Sequence, residues 1–268
     1  MSKVRLDQLL LDQGLAETRS RARAEIMAGN ILVDGVKILK AGTLFPEGTS
    51  VSVIKKDFPY VSRGALKLKE AFRIFPLVGK DAICLDIGSS TGGFTEILLL
   101  EGAKKVFAVD VGTNQLAWRL REDPRVVVME KTNARYLEPA SLGGESVDLV
   151  VTDVSFISLK KILPAALACL KAGGEAMALV KPQFEAGKGE VGKKGVITNP
   201  KVHRKVLEDI LAYATNELGF SVLGLASSPL LGQKGNREFL LYLKHDGLGV
   251  NQIDERDLKA LLEPEQQA

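Results

Sequence analysis

The chain has 268 residues, 46% of them hydrophobic and 26% charged, with a formal net charge of +3. Such a length and composition describe a globular protein, either one large α/β domain or a larger domain with a small appendage, and exclude a disordered or fibrous chain. No apolar run approaches the roughly 18 to 20 residues of a membrane-spanning helix. The start, Met1-Ser2-Lys3-Val4-Arg5-Leu6-Asp7, lacks the apolar core of a secretory signal, so a cytoplasmic location without a membrane role is expected.

The two cysteines, Cys84 and Cys169, fall in a predicted strand and a predicted helix, and only two histidines are present. Buried, reduced thiols are expected, and metal catalysis is not. The charge is unevenly spread. Residues 1–63 carry ten Lys+Arg against seven Asp+Glu, while the other 205 residues carry 26 of each. A phosphate-binding surface is therefore sought in the N-terminal quarter.

Residues 1–54 read as a self-contained unit. Val4, Leu6, Leu9 and Leu10 have helical spacing, with Gly14 as a stop. Thr18 caps a second predicted helix, in which Arg19, Arg21 and Arg23 precede Ile26 and Met27, and Gly29-Asn30 ends it. Strands are predicted at 31–33, 36–38 and 50–54, the first two joined by an Asp34-Gly35 hairpin turn. This order resembles the S4 RNA-binding domain, through Arg5-Leu6-Asp7, the stretch Thr18-Arg19-Ser20-Arg21-Ala22-Arg23-Ala24, and Gly29-Asn30-Ile31-Leu32-Val33-Asp34-Gly35. The resemblance implies a small α+β module that presses a basic face against structured RNA. Arg5, Arg19, Arg21 and Arg23 are the candidate RNA-binding residues, joined by Arg63 farther along. Arginines at a helix start can aim their forks at phosphates while the terminal amides add positive potential.

Residues 55–61 break the periodicity and read as a linker, and Ser62 is a candidate cap for a helix that carries Lys67. From there strand and helix alternate to about residue 249. Strands are predicted at 82–87, 105–110, 125–129, 147–153, 175–180, 220–226 and 238–243. Helices are predicted near 92–101, 114–121, 158–171 and 200–218. Alternation of this kind predicts a mostly parallel sheet covered on both faces, spanning 62–249. Residues 250–268 read as a polar tail with one helical pattern near 254–262.

The first of these strands ends in Leu85-Asp86-Ile87-Gly88 and runs into Ser89-Ser90-Thr91-Gly92-Gly93-Phe94. Glycines let the backbone approach a nucleoside, and the next helix start offers unsatisfied amides. The spacing is not the Gly-x-Gly-x-x-Gly of a dinucleotide site, nor does it end as a P-loop does. Asp110 closes the second strand 22 residues after Gly88, where a carboxylate can accept both hydroxyls of a ribose. Together these features look like a Rossmann-like, class I S-adenosylmethionine site. Asn133 and Ala134 are then expected near the adenine, and Asp86 either holds the turn or faces the methionine ammonium.

Asp153 closes the fourth strand and Lys181 the fifth, so both should point into the crevice beyond the strand ends. A lysine that ends an apolar strand is costly to desolvate unless it is paired or functional, and an ion pair with Asp153 is one way to meet that cost. With Ser62-Arg63-x-x-x-Lys67 and Asn236-Arg237-Glu238-Phe239, these residues resemble the Lys-Asp-Lys-Glu tetrad of FtsJ-like ribose 2′-O-methyltransferases. Adding the S4-like unit makes the resemblance that of the TlyA family, whose members often carry a haemolysin name. It covers residues 3 to about 245. The supporting segments are Tyr60-Val61-Ser62-Arg63-Gly64, Asp153-Val154-Ser155-Phe156-Ile157-Ser158, Lys181-Pro182-Gln183-Phe184-Glu185 and the glycine-rich run from Gly187 to Val196.

The resemblance implies methylation of cytidine 2′-hydroxyls in ribosomal RNA, with the rRNA or a ribosomal subunit as partner. Only Ser2-Lys3-Val4 separates Met1 from Arg5, which favours the members that act on the large subunit alone. Lys67, Asp153, Lys181 and Glu238 are the expected catalytic residues. If neutral, Lys181 accepts the hydroxyl proton; if charged, it stabilises the forming oxyanion. Asp153 orients it and complements the sulfonium of the cofactor. The competing functions are a membrane-active haemolysin and a non-catalytic RNA-binding assembly factor.

Overall fold

The computed structural model describes residues 3–16, 18–27, 29–53, 58–187, 189–192 and 194–263. The strand end expected at Ile54, the linker residues Lys55, Lys56 and Asp57, Lys188 and Lys193 of the glycine-rich run, and residues 264–268 of the tail lie outside the described residues. The backbone divides into two compact units, Met1–Pro59 and Tyr60–Ala268.

The first unit consists of β1 (Lys3–Arg5), α1 (Leu6–Asp12), α2 (Arg19–Met27), β2 (Ile31–Val33), β3 (Val36–Lys37), β4 (Leu44–Pro46) and β5 (Val51–Val53). Leu6, Leu9 and Leu10 of α1 share a core with Ala22 and Ile26 of α2. Gly14 takes a φ of 68° just after α1, and Thr18 Oγ1 accepts the Arg21 amide to cap α2. Asp34 and Gly35 both have positive φ, which matches the right-handed twist of the hairpin they close. Val4 departs from expectation. It belongs to β1, because Lys3–Arg5 pairs antiparallel with Leu44–Pro46, a strand the apolar pattern did not indicate.

The second unit contains α3 (Ala65–Ile74), β6 (Ile83–Ile87), α4 (Gly93–Leu100), β7 (Lys105–Val109), α5 (Trp118–Arg121), β8 (Val126–Met129), β9 (Val147–Thr152), α6 (Leu163–Cys169), β10 (Leu170–Val180), α7 (Pro182–Glu185), α8 (Pro200–Ala212), β11 (Ser221–Ser227), β12 (Phe239–Lys244) and α9 (Glu255–Leu262). Seven strands form one sheet in the order β11-β12-β10-β9-β6-β7-β8. β8, β7, β6, β9 and β10 are parallel, and β12 runs antiparallel to both β10 and β11. Side chains alternate between two apolar layers, with Leu85 and Ile87 of β6 on one side and Cys84 on the other. The connections leave β6 and β9 in opposite directions, so a crevice opens at their carboxyl ends.

Four helical expectations change. Residues 114–117 are not helical, because Glu130 accepts the amides of Asn114, Gln115 and Leu116, leaving only α5. The helix expected at 158–171 is a 3₁₀ turn, Leu159–Lys161, followed by α6. β10 then starts at Leu170, with its register shifted before Glu175. The α-helix of residues 200–218 ends at Ala212 and continues as a π-turn over Tyr213–Glu217. Ser62 does not cap α3 with its side chain; Gly64 is the cap, and the Ser62 carbonyl accepts the Ala65 amide. Nor is 250–263 a separate tail. Leu258 and Leu262 of α9 are buried in the sheet's core, and the Leu261 and Leu262 carbonyls accept Arg237.

Candidate active site

Strand adjacency brings four charged residues together. β9 and β10 are parallel neighbours, so Asp153 and Lys181, each one step beyond its strand, lie side by side. Phe239 pairs with Val180, which sets Glu238 beside Lys181. α3 adds Lys67. Lys181 Nζ lies 2.5 Å from Asp153 Oδ1 and donates to Ser155 Oγ at 2.9 Å. Lys67 Nζ lies 2.7 Å from Glu238 Oε2 and 3.3 Å from Asp153 Oδ2. Lys67, Lys181 and Glu238 are 9%, 6% and 4% exposed.

Charges taken this far from water persist only when paired and hydrogen-bonded, and here two ammonium groups face two carboxylates. Burial pulls the Lys67 ammonium down, but the Asp153 and Glu238 carboxylates outweigh it and leave it above its ordinary value. Gly232 makes room for Glu238, since a Cβ there would overlap the carboxylate.

The glycine turn lies alongside. Gly88 and Gly92 have φ of 87° and 96°, and Ser90 has φ of 47°. A Cβ at Gly88 would come 2.8 Å from the Asp153 carbonyl oxygen, so only glycine lets the first turn close against the β9 end. Asp110 Oδ2 accepts the Ser90 amide at 2.9 Å and Oδ1 the Gly112 amide at 2.7 Å, which fixes the carboxylate at the end of β7. Asn133 Oδ1 accepts the Arg135 amide, capping the turn after β8.

Two clefts meet at Asp153. One, about 450 Å³, is lined by Lys67, Asp153, Lys181 and Glu238, with Gly88, Ser89, Ser90, Thr91, Gly93, Phe94 and Arg63 around them. The other, about 960 Å³, is lined by Asp110, Asn133, Ala134 and Arg135, among others. Gly88, Ser90, Asp153, Ser155 and Phe184 border both.

Two expected cofactor residues line neither cleft. Gly92 packs under the Leu116 and Leu120 side chains. Asp86 is fully buried, and its Oδ2 accepts the Thr95 hydroxyl at 2.6 Å. Of the two roles open to Asp86, the geometry fits holding the turn to the first turn of α4. Burial pushes its carboxyl up to about 7, against the opposing effect of the Thr95 bond.

The N-terminal arginines form a cluster of their own in the first unit. Arg5, Arg19 and Arg23 all donate to Asp7. Their bonds hold this fully buried carboxylate well below the usual range, the Arg5 bond having the largest effect. Arg21 is exposed and outside the cluster. The three guanidiniums remain about half exposed, so Asp7 pre-orients them without covering them.

Sequence reasoning assigned no role to Ser155, Phe156, Phe184 or Glu185. Phe156 is 82% exposed and has a φ of 62°, and its ring lies 5.1 Å from that of Phe184. A phenylalanine after an apolar strand reads as core, and the only signal against that was its place beside Asp153.

Residues 60–245 match the FtsJ-like methyltransferase family and residues 4–51 match the S4 domain. The 16S/23S rRNA (cytidine-2′-O)-methyltransferase TlyA of Mycobacterium tuberculosis is 47% identical over 244 residues, 90% of each chain. The 23S rRNA (cytidine-2′-O)-methyltransferase TlyA of Campylobacter jejuni is 40% identical over 185 residues, 68% of this chain and 70% of that one. A solved structure from Streptococcus thermophilus that carries a hemolysin name shares 45% identity and a TM-score of 0.75, covering 98% of this chain and 95% of that one. With an S4 domain followed by an FtsJ-like methyltransferase domain, the chain belongs to the TlyA family.

Proposed function

We propose that the protein transfers a methyl group from S-adenosylmethionine to the 2′-hydroxyl of a cytidine in ribosomal RNA, acting in the cytoplasm on the large-subunit rRNA. The observation that carries this reading is the convergence of Lys67, Asp153, Lys181 and Glu238 where the two clefts meet. Both TlyA relatives name 23S rRNA and the cytidine 2′-oxygen, whereas only one of them names 16S rRNA.

The larger cleft suits a nucleoside. Its wall at Gly88 has no side chain, Asp110 presents an immobilised carboxylate, and Asn133 and Ala134 border the space beyond. Gly88, Ser90, Asp110 and Asn133 would hold the cofactor, which when bound supplies an electrophilic methyl on a sulfonium. The chain's own residues then act on the alcohol, a poor nucleophile that must lose its proton as the new C–O bond forms. Lys181, gripped by Asp153 and Ser155, meets that hydroxyl: in its neutral form it takes up the proton, and as an ammonium it offsets the charge left when the proton passes to water. Lys67 and Glu238 balance each other's charge and keep the cluster aligned. Positioning of this kind is worth on the order of 7 to 11 kcal/mol. Phe156 offers an exposed aromatic face to a base turned out of its helix.

The test is transfer of tritiated methyl from S-adenosylmethionine to 23S rRNA or large subunits, followed by mapping of alkali-resistant 2′-O-methyl sites. Label on a cytidine ribose supports the reading, and unlabelled RNA contradicts it. The hemolysin name favours a second reading, membrane activity. Among the described residues no helix is long and apolar enough to cross a bilayer, and leakage of dye-loaded liposomes on mixing with the protein would support that reading.

A further inference from the structure

The loop after β9 carries Asp153, Ser155 and Phe156, the turn after β10 carries Lys181 and Phe184, and one carboxylate joins the two. Glu185 Oε2 accepts the Ser158 hydroxyl at 2.6 Å, and Oε1 accepts the Leu159 amide at 2.8 Å. Ser158 Oγ in turn accepts the Lys160 amide and caps the 3₁₀ turn. Both oxygens of Glu185 are thus spent at the far end of the 153–158 loop. The near end is anchored separately, by the Asp153 amide on the Ile87 carbonyl and by the Asp153–Lys181 pair.

Between the anchors, Phe156 holds a left-handed backbone conformation and meets the ring of Phe184, the neighbour of Glu185. Such a conformation persists only where its surroundings over-determine it. Burial pushes the Glu185 carboxyl up, against the Ser158 and Leu159 bonds. None of the ion pairs found among the described residues involves Glu185, so its hydrogen bonds to the loop, with a smaller contribution from the Lys160 charge, are what it gains in return.

We propose that Glu185 is a positioning residue that latches the Asp153–Ser158 loop onto the turn bearing Lys181. The latch presents Asp153, Ser155 and Phe156 to Lys181 in one arrangement. Because Asp153 and Ser155 border both clefts, it keeps the cofactor side and the acceptor side in register. This inference rests on the methyltransferase reading above.

Four variants of the full chain test it: Glu185→Ala, Glu185→Gln, Ser158→Ala and the double variant Ser158→Ala/Glu185→Ala. Each is assayed for kcat on large-subunit rRNA at saturating S-adenosylmethionine and for thermal midpoint. Glu185→Ala should lower kcat by about 10- to 100-fold, the scale of a misplacement near 1 Å. Glu185→Gln should keep more than about half of kcat, since its amide can accept from Leu159 and donate to Ser158. Ser158→Ala should fall between, and adding it to Glu185→Ala should cost little more, as expected of one shared interaction.

Unchanged kcat in Glu185→Ala overturns the latch. So does a Gln variant as impaired as Ala, or fully additive losses in the double variant. If Glu185→Ala does not fold, a Ser158→Ala variant with wild-type kcat overturns it. Wild-type protein that labels no RNA would instead sink the methyltransferase reading, whereas active wild type with indifferent variants sinks only the latch.

Discussion

Lys181 Nζ lies 2.5 Å from Asp153 Oδ1, while the other oxygen of the same carboxylate lies 3.3 Å from Lys67 Nζ. One carboxylate therefore separates two buried ammonium groups and holds both.

Asp153→Asn should cost more than one hydrogen bond. It removes the shared counter-charge, leaving Lys181 without an anionic partner and Lys67 with Glu238 alone. Breaking a buried pair from one side destabilises by about 3 to 5 kcal/mol. A fall in the urea midpoint, with turnover reduced by about 100-fold or more, is expected; wild-type values for both would show that Asp153 bridges nothing of consequence.

Asp86 makes stability depend on pH. Its carboxyl is raised to about 7 from an ordinary 3.8, so between those values the folded chain holds a proton that the unfolded chain has released. Stability from this group is then greatest below about pH 4 and declines as pH rises to about 7, beyond which it levels off. Asp86→Asn keeps an acceptor for Thr95 and removes the ionisation. Its urea midpoint relative to wild type should rise between pH 4 and pH 8, and a pH-independent difference would contradict the assignment.

Where structure follows from local pattern, the sequence was readable. The Gly88 turn, the spacing to Asp110 and the apolar strands ending at Asp153 and Lys181 all follow from chain order and strand topology, and so placed most of the candidate site. What escaped depends on partners distant in sequence. Glu130 takes the amides of 114–116 away from a helix. β4 exists through its pairing with β1, and α9 folds back because Leu258 and Leu262 find the sheet's core. The buried Asp7 beneath three arginines was equally hidden, since a lone acidic residue in an amphipathic helix reads as solvated.

Arg19, Arg21 and Arg23 should govern RNA affinity. Replacing all three with alanine should weaken binding to rRNA and reduce the slope of log K against log salt by about 0.7 to 0.9 for each phosphate that is no longer neutralised. Fluorescence anisotropy across a salt series measures both. An unchanged slope would show that this helix does not meet phosphate. Asp7→Asn should weaken binding less than the triple variant does, because the guanidiniums lose orientation but keep their charge.

Lys181→Ala removes the only group that meets both Asp153 Oδ1 and Ser155 Oγ among the described residues, yet it does not border the larger cleft. Tritiated-methyl transfer to large-subunit rRNA, run beside calorimetric titration with S-adenosylmethionine, separates chemistry from cofactor binding in this variant. Transfer should fall below detection while the cofactor Kd stays within about twofold of wild type, a shift under about 0.5 kcal/mol. RNA labelled at the wild-type rate by Lys181→Ala would contradict the role given to this lysine and the methyl-transfer chemistry built on it.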